Sequence, residues 1–293
     1  MSQSPNILFI TTDQQHADCI GSLGRSDVKT PNLDALARRG AAFTRCYNTG
    51  VECVPSRLSL LTGQYPHTHG VYNGGRAPIP EFYLALPQYV AQQRGYRTGL
   101  VGKKHFGQWQ CPAFEQDDGH ALEGYESYLE SQGLLDTYHR EFAENPHVFG
   151  SYETSIPYKH CEPSWTGAKT CDMIDAYSGD APFFIWASFD NPHPPIRVPA
   201  DAPVQYDPAT LDLAQIRRNT PEDVRLLRQR TSGTRLGGEN IWTAEIHGKD
   251  AYRQALARYY GMVSMVDDNV GRIVNHLEER GLLDNTIIIF TLD

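Results

Sequence analysis

Three short stretches limit what this chain can fold into: Asn6-Ile7-Leu8-Phe9-Ile10-Thr11-Thr12, Pro182-Phe183-Phe184-Ile185-Trp186-Ala187-Ser188-Phe189 and Thr286-Ile287-Ile288-Ile289-Phe290-Thr291. Each is apolar almost end to end, is too short for a helix, and runs into an aspartate within two residues. Runs of this kind fit strands buried on both faces of a parallel sheet, whereas a half-exposed strand would alternate. Ligand sites in open α/β sheets lie where such strands end. Asp13 and Asp293 are therefore carboxylates delivered to a common rim. Helical patterns lie between the runs. Thr30-Pro31 opens one that Gly40 ends, and Leu86–Arg94 precedes Gly95. Asp250–Arg280 carries Leu256, Tyr260, Val263, Val266, Val270, Ile273, Val274 and Leu277 at three- and four-residue steps. Strand–helix alternation gives an α/β fold with a mainly parallel sheet sandwiched by helices.

The chemistry concentrates at Cys53-Val54-Pro55-Ser56-Arg57, followed by Leu58-Ser59-Leu60-Leu61-Thr62-Gly63. Pro55 suits the first position of a helix and Gly63 its end. Cys53 is then expected at or just before a helix N-terminus, where free N–H groups favour an anion and lower a thiol pKa. Arg57, about one turn on, can face the same ligand. Ala42–Tyr47 reads as a short strand leading into this turn. Tyr96–Gly102 reads as a further strand, delivering Lys103-Lys104-His105 to the same rim.

Composition sets bounds on partners. The 293 residues carry a formal net charge of −9, with 40% hydrophobic and 21% charged residues. An acidic chain of this kind is not built as a general nucleic-acid or membrane-surface binder. Local Arg, Lys and His can still hold an anionic substrate. Met1-Ser2-Gln3-Ser4-Pro5 lacks a basic leader region, and Ile7–Ile10 is too short for a membrane span, so a cytoplasmic protein is expected. The six cysteines show no close metal-ligand pairs and read as mostly free thiols.

Cys53-x-Pro55-Ser56-Arg57, with its Leu-Thr-Gly segment and the extension Gly63-Gln64-Tyr65-Pro66-His67-Thr68-His69-Gly70-Val71, resembles the sulfatase signature. The resemblance covers nearly the whole chain. Gly102-Lys103-Lys104-His105-Phe106-Gly107 is similar to the family's Gly-Lys-x-His-x-Gly, and Pro192-His193-Pro194-Pro195 to its Pro-His-x-Pro. It implies an alkaline-phosphatase-like fold and hydrolysis of a small anionic sulfate ester. It also implies conversion of Cys53 to formylglycine by a formylglycine-generating enzyme. Catalytic roles fall on Cys53, Arg57, Lys103, His105 and His193. One divalent metal falls on Asp13, residue 53 and Asp293, with Ca²⁺ expected first and Mn²⁺ or Mg²⁺ next.

Many members carry a second Asp after the first strand, where this chain has Gln14. Asp-Gln is similar to the branch of choline sulfatases and phosphonate monoester hydrolases, which makes a phosphonate monoester or phosphodiester hydrolase the alternative. A non-catalytic sulfatase-like fragment is a further one. Residues 1–293 are expected to be one incomplete catalytic domain, with pocket-lining insertions at about 108–180 and 200–248. In that reading His120, His139, His147 and His160 are surface residues. The usual C-terminal subdomain is expected to be missing, the last strand to be left as an exposed edge, and a homo-oligomer to form through that edge.

Overall fold

The computed structural model describes residues 4–24, 27–73, 84–107, 114–118, 121–145, 150–179, 181–211 and 248–293. Five strands form one parallel sheet: β1 (Asn6–Thr12), β2 (Arg97–Gly102), β3 (Gln116–Asp118), β5 (Phe183–Phe189) and β7 (Thr286–Leu292). Their order is β3-β2-β5-β1-β7, and a parallel pair, β4 (Ser151–Thr154) with β6 (Ile196–Pro199), stands apart. The expected strands thus appear where the apolar runs lie, and β5 is buried along its whole length.

Helices cover both faces. On one, Leu33 of α1 (Pro31–Arg39) joins Met173, Ile174 and Tyr177 of α7 (Glu162–Tyr177). Val266, Val270, Ile273 and Leu277 of α8 (Lys249–Glu279) pack beside them over Leu8, Ile10, Ile185 and Ala187. Burying the four α8 side chains alone contributes about 6–12 kcal/mol gross. On the other face, Val54, Leu58 and Leu61 of α2 (Cys53–Thr62) and Val90 of α4 (Leu86–Arg94) pack with Phe106, Phe184 and Trp186. The short α3 (Pro66–His69) follows α2. A satellite cluster of Tyr125, Leu129, Tyr138, Ile156 and Trp165 joins α5 (Ala121–Ser131) and α6 (Leu135–Glu144) to α7. No described helix is long and apolar enough to cross a membrane.

The helix ends follow their local chemistry. Gly63, Gly95 and Gly281 all take left-handed backbone just past helices, at φ 67°, 68° and 67°, a conformation glycine adopts without a Cβ clash. Thr30 precedes α1 as expected, but its side chain makes no bond to the helix's free N–H groups. Asp267 of α8 does so instead, accepting from Asn32 N at 3.2 Å, Leu33 N at 2.7 Å and Asn32 Nδ2 at 2.9 Å.

Three expectations change. Residues 41–49 form no strand and are exposed, with Phe43 and Tyr47 over four-fifths accessible. Pro55 is the third residue of α2, not the first. The described residues of 108–180 hold three regular helices, and α7 is part of the main core rather than of an insertion. Glu162, Ser164, Thr166, Gly167 and Thr170 are among its buried positions, so hydrophobic periodicity could not reveal it. Gly167 lies where a Cβ would come within 2.6 Å of Asn269 Oδ1, which lets α7 and α8 approach closely. His120, His147, Cys111 and residues 212–247 lie outside the described residues.

Candidate active site at the carboxyl edge of the sheet

β1 and β7 run in register, Thr12 opposite Leu292. The residues that follow them, Asp13 and Asp293, are therefore neighbours, tied by Asp293 N donating to Thr12 O at 3.1 Å. Both carboxylates are buried, with side-chain exposures of 4% and 0%. Asp293 Oδ1 makes no hydrogen bond among the described residues. Two buried carboxylates side by side, one with a spare oxygen, are a hard donor set that suits a divalent cation such as Ca²⁺, Mn²⁺ or Mg²⁺. Gln14 is exposed and holds a left-handed φ of 58°. Tyr259 of α8 clamps this bend, its hydroxyl accepting from His16 N at 2.8 Å and donating to Gln14 O at 2.9 Å.

β2 delivers the next group. Gly102 sits at φ 91°, and a Cβ there would lie 2.1 Å from Ser188 O. Only glycine lets the chain pass this close to β5, where Lys103 N then bonds Ser188 O at 2.7 Å. The Lys103 ammonium contacts Asp13 Oδ2 and lies 2.7 Å from Asp190 Oδ1. Burial works against its charge, but Asp190 and Asp13 more than offset that and raise its pKa. In Asp190 burial opposes ionisation, yet Lys103 and then His193 draw its pKa below the usual value.

Cys53 is the first residue of α2, after Glu52 at the N-cap. Its Sγ lies 3.3 Å from His105 Nδ1. The expected fall in thiol pKa does not occur: burial, then Asp13, push it up, against smaller opposing effects of Lys103 and Arg57. Water is crowded away from the His105 ring, and Lys103 and Arg57 add repulsion, so its pKa falls to about 4. Part of the residue still meets solvent and tempers the shift, and the neutral imidazole is the state at neutral pH.

Arg57 is fully buried. Its Nη1 donates to Lys103 O at 2.7 Å and Ser188 Oγ at 2.8 Å, and Nε pairs with Asp293 Oδ2. Nη2 makes no hydrogen bond among the described residues. The guanidinium also lies 5.8 Å from the centroid of Trp186. Burial raises the Asp293 carboxyl to about 7 even though Arg57 pulls it down, and Asp13 adds to the rise.

The structure thus gathers Asp13, Cys53, Arg57, Lys103, His105 and Asp293. His193 lies in the turn after β5, three residues past Asp190, whose carbonyl accepts from His193 N at 2.9 Å. Its Nδ1 is 2.7 Å from Pro194 O; a carbonyl only accepts, so Nδ1 carries a proton and Nε2 is left to exchange one. His139 and His160 engage Glu126 and Tyr128 instead. Sequence reasoning missed Asp190, Ser188 and Tyr259. Asp190 had the same signal as Asp13, an acid just past a buried strand, whereas a serine inside a strand and a tyrosine on a distant helix carry none.

A parallel α/β sheet flanked by helices, with buried acids at its carboxyl edge and a Cys-x-Pro-Ser-Arg helix beside them, defines an alkaline-phosphatase-like protein. In structure the chain is similar to the phosphonate monoester hydrolase of Agrobacterium radiobacter, with a TM-score of 0.80 and 26% identity over 98% of this chain and 62% of that one. The sulfatase family model matches residues 5–293, and the chain belongs to the sulfatase family. It is 29% identical to an arylsulfatase of Clostridium perfringens over 99% of this chain and 62% of that protein. It is 25% identical to an N-acetylglucosamine-6-O-sulfatase of Bacteroides thetaiotaomicron over 100% of this chain and 58% of that protein. The chain therefore spans about three-fifths of the length of these relatives.

Proposed function

We propose that this chain carries the catalytic site of a sulfate-ester hydrolase whose nucleophile is a formylglycine made from Cys53. The observation that carries this reading is the placement of Cys53 at the start of α2, against His105 and Asp13, with Arg57 and Lys103 beside them. A thiol held protonated by burial is a poor nucleophile, and a sulfur-bound sulfuryl group would leave poorly. A hydrated aldehyde attacks through one hydroxyl and can expel sulfate by deprotonating the other.

Each side chain then has a step. Lys103 offers a point charge to the transferring group. Arg57, fixed through Nη1 and Nε, has Nη2 left to donate to an oxygen at residue 53. As the attacking hydroxyl at residue 53 bonds sulfur, its proton passes to solvent; the sulfur–alkoxide bond breaks, and His193, carrying protons on both ring nitrogens, gives the one on Nε2 to the departing alkoxide. His105, neutral, accepts the proton of the second hydroxyl while sulfate departs and the aldehyde returns. A divalent cation held by Asp13 and Asp293 supplies Lewis-acid stabilisation of the developing charge when bound.

Co-expression with a formylglycine-generating enzyme, followed by mass spectrometry of the residue-53 peptide and a substrate panel, tests the reading. Conversion and turnover of aryl sulfates support it; only unmodified cysteine under those conditions rejects the nucleophile. The likeness to a phosphonate monoester hydrolase, together with Gln14 after Asp13, favours a second reading on the same site. Faster turnover of phosphodiesters or phosphonate monoesters than of sulfate esters would select it.

A further inference from the structure

We propose that the unconverted, cysteine form of this chain binds a zinc ion between Cys53, His105 and Asp13. One ligand atom from each of these residues lies within 4.8 Å of the other two. Cys53 Sγ and His105 Nδ1 are 3.3 Å apart. Zinc bonds of about 2.3 Å to sulfur and 2.0–2.1 Å to nitrogen, opened to the tetrahedral angle, place sulfur and nitrogen about 3.5 Å apart. The pair therefore needs an adjustment of only a few tenths of an ångström to share an ion, with the Asp13 carboxylate closing in as the third ligand.

The donors decide which ion. Thiolate and imidazole are soft to borderline ligands and select zinc over Ca²⁺ and Mg²⁺, which need oxygen. This set differs from the paired carboxylates of the converted form. Asp293 is not among the converging atoms. His105 takes its place, brought over Cys53 by a left-handed backbone at φ 44°. Lys103 contacts Oδ2 of Asp13, which leaves Oδ1 for the metal. On binding, the Cys53 S–H bond breaks, a sulfur–zinc bond forms and one proton passes to solvent, so affinity rises with pH. Three protein ligands leave one tetrahedral position for water.

Zinc bound here withholds the thiolate from oxidation. The binding itself is independent of the hydrolytic reading; its meaning as a blocked precursor rests on that reading. Once Cys53 is an aldehyde the soft ligand is gone, and the site reverts to its oxygen donors.

The test uses the full chain made without a formylglycine-generating enzyme, its thiol verified by mass spectrometry and its metals stripped. Calorimetric titration is expected to give one Zn²⁺ per chain, bound at least about 10²-fold more tightly than Ca²⁺. Outer partners of a metal ligand alone cost about 10–100-fold when removed, so Cys53→Ser and His105→Ala should each weaken zinc by that much or more. Asp293→Asn should change it far less. Cobalt(II) reports on the unsubstituted chain, through a thiolate-to-cobalt charge-transfer band in the near ultraviolet. Zinc binding unaffected by Cys53→Ser or His105→Ala, Ca²⁺ binding tighter than Zn²⁺, or no charge-transfer band would overturn the proposal. Absence of the cobalt band on the unsubstituted chain overturns the proposal even if a variant fails to fold. Absence of sulfatase turnover in the converted form would reject the hydrolytic reading and leave these titrations as they stand.

Discussion

Replacing Arg57 with lysine separates what this side chain does for the fold from what it does for an oxyanion. The guanidinium is fully buried; its main polar contacts run through Nη1 to Lys103 O and Ser188 Oγ, with a longer one to Lys104 O, and through Nε to Asp293. A lysine ammonium sits on a narrower stem and keeps the positive charge, but not the planar fork. It can hold Asp293 or the Lys103–Ser188 pair, not both. Losing two charge-assisted hydrogen bonds costs about 3–6 kcal/mol before relaxation, so a net loss of about 3 kcal/mol is expected. Against a typical stability of about 5–15 kcal/mol the variant remains folded. Its melting temperature should fall by about 6–12 °C, at the about 2–4 °C per kcal/mol that applies to larger domains. In the converted protein kcat/KM toward an aryl sulfate should fall on the order of 10²-fold, the scale of losing one oxyanion donor. Thermal unfolding and steady-state turnover are the paired assays. A lowered melting temperature with turnover within about threefold of the parent would show that Arg57 only braces the sheet edge, and would refute its role at residue 53.

Two further outcomes follow from the ionisation of buried groups. Cys53, whose pKa is pushed up by burial and Asp13, should react with iodoacetamide near pH 8 more slowly than the exposed Cys46; peptide mapping over time checks this, and equal or faster labelling of Cys53 would contradict the site's electrostatics. Asp267 is raised to about 6 from an ordinary 3.8, with burial outweighing its bonds to Leu33 N and Asn32. The folded chain therefore binds this proton more tightly than the unfolded one; the resulting stabilisation is full below about pH 4 and is lost as pH rises through about 6, at most about 3 kcal/mol. Denaturant unfolding from pH 4 to 7 should show that fall in the parent and a flatter curve in Asp267→Asn, and parallel curves would dismiss the assignment.

Much of this architecture can be read from residues whose local chemistry and tertiary role agree. β1, β2 and β5 are apolar because both faces of the sheet are covered there, whereas edge strand β7 buries only one face and leaves Ile287 and Ile289 exposed. α4 and α8 end at glycines that must turn left-handed. α7 was not legible because its buried face uses Thr166, Gly167 and Thr170, chosen for close approach and hydrogen bonding rather than for oiliness. The segment 42–47 misled in the other direction, since Phe43 and Tyr47 alternate with smaller residues yet meet no strand. At the site, motif spacing located Cys53, Arg57, Lys103 and His105, but the sign of the thiol's shift came from three-dimensional neighbours. A helix N-terminus acts within about one turn, and here burial and the carboxylate of Asp13, forty positions earlier in the chain, outweigh it.

The strand order has a temporal side. β1 precedes the other described strands, yet both its partners lie far along the chain from it: β5 begins at residue 183 and β7 at 286. Its two edges have nothing to pair with until residues 183 and 286 onward have been made, and pairings of such high sequence separation form slowly. During synthesis Asn6–Thr12 is an apolar strand with open edges, the kind of segment that invites wrong partners. The Asp13–Asp293 neighbourhood cannot arise before β7 docks in register against β1. Assembly of that carboxylate pair is therefore a late milestone of folding, and a nascent chain passes through a long interval in which Cys53 has been made but the pocket around it has not.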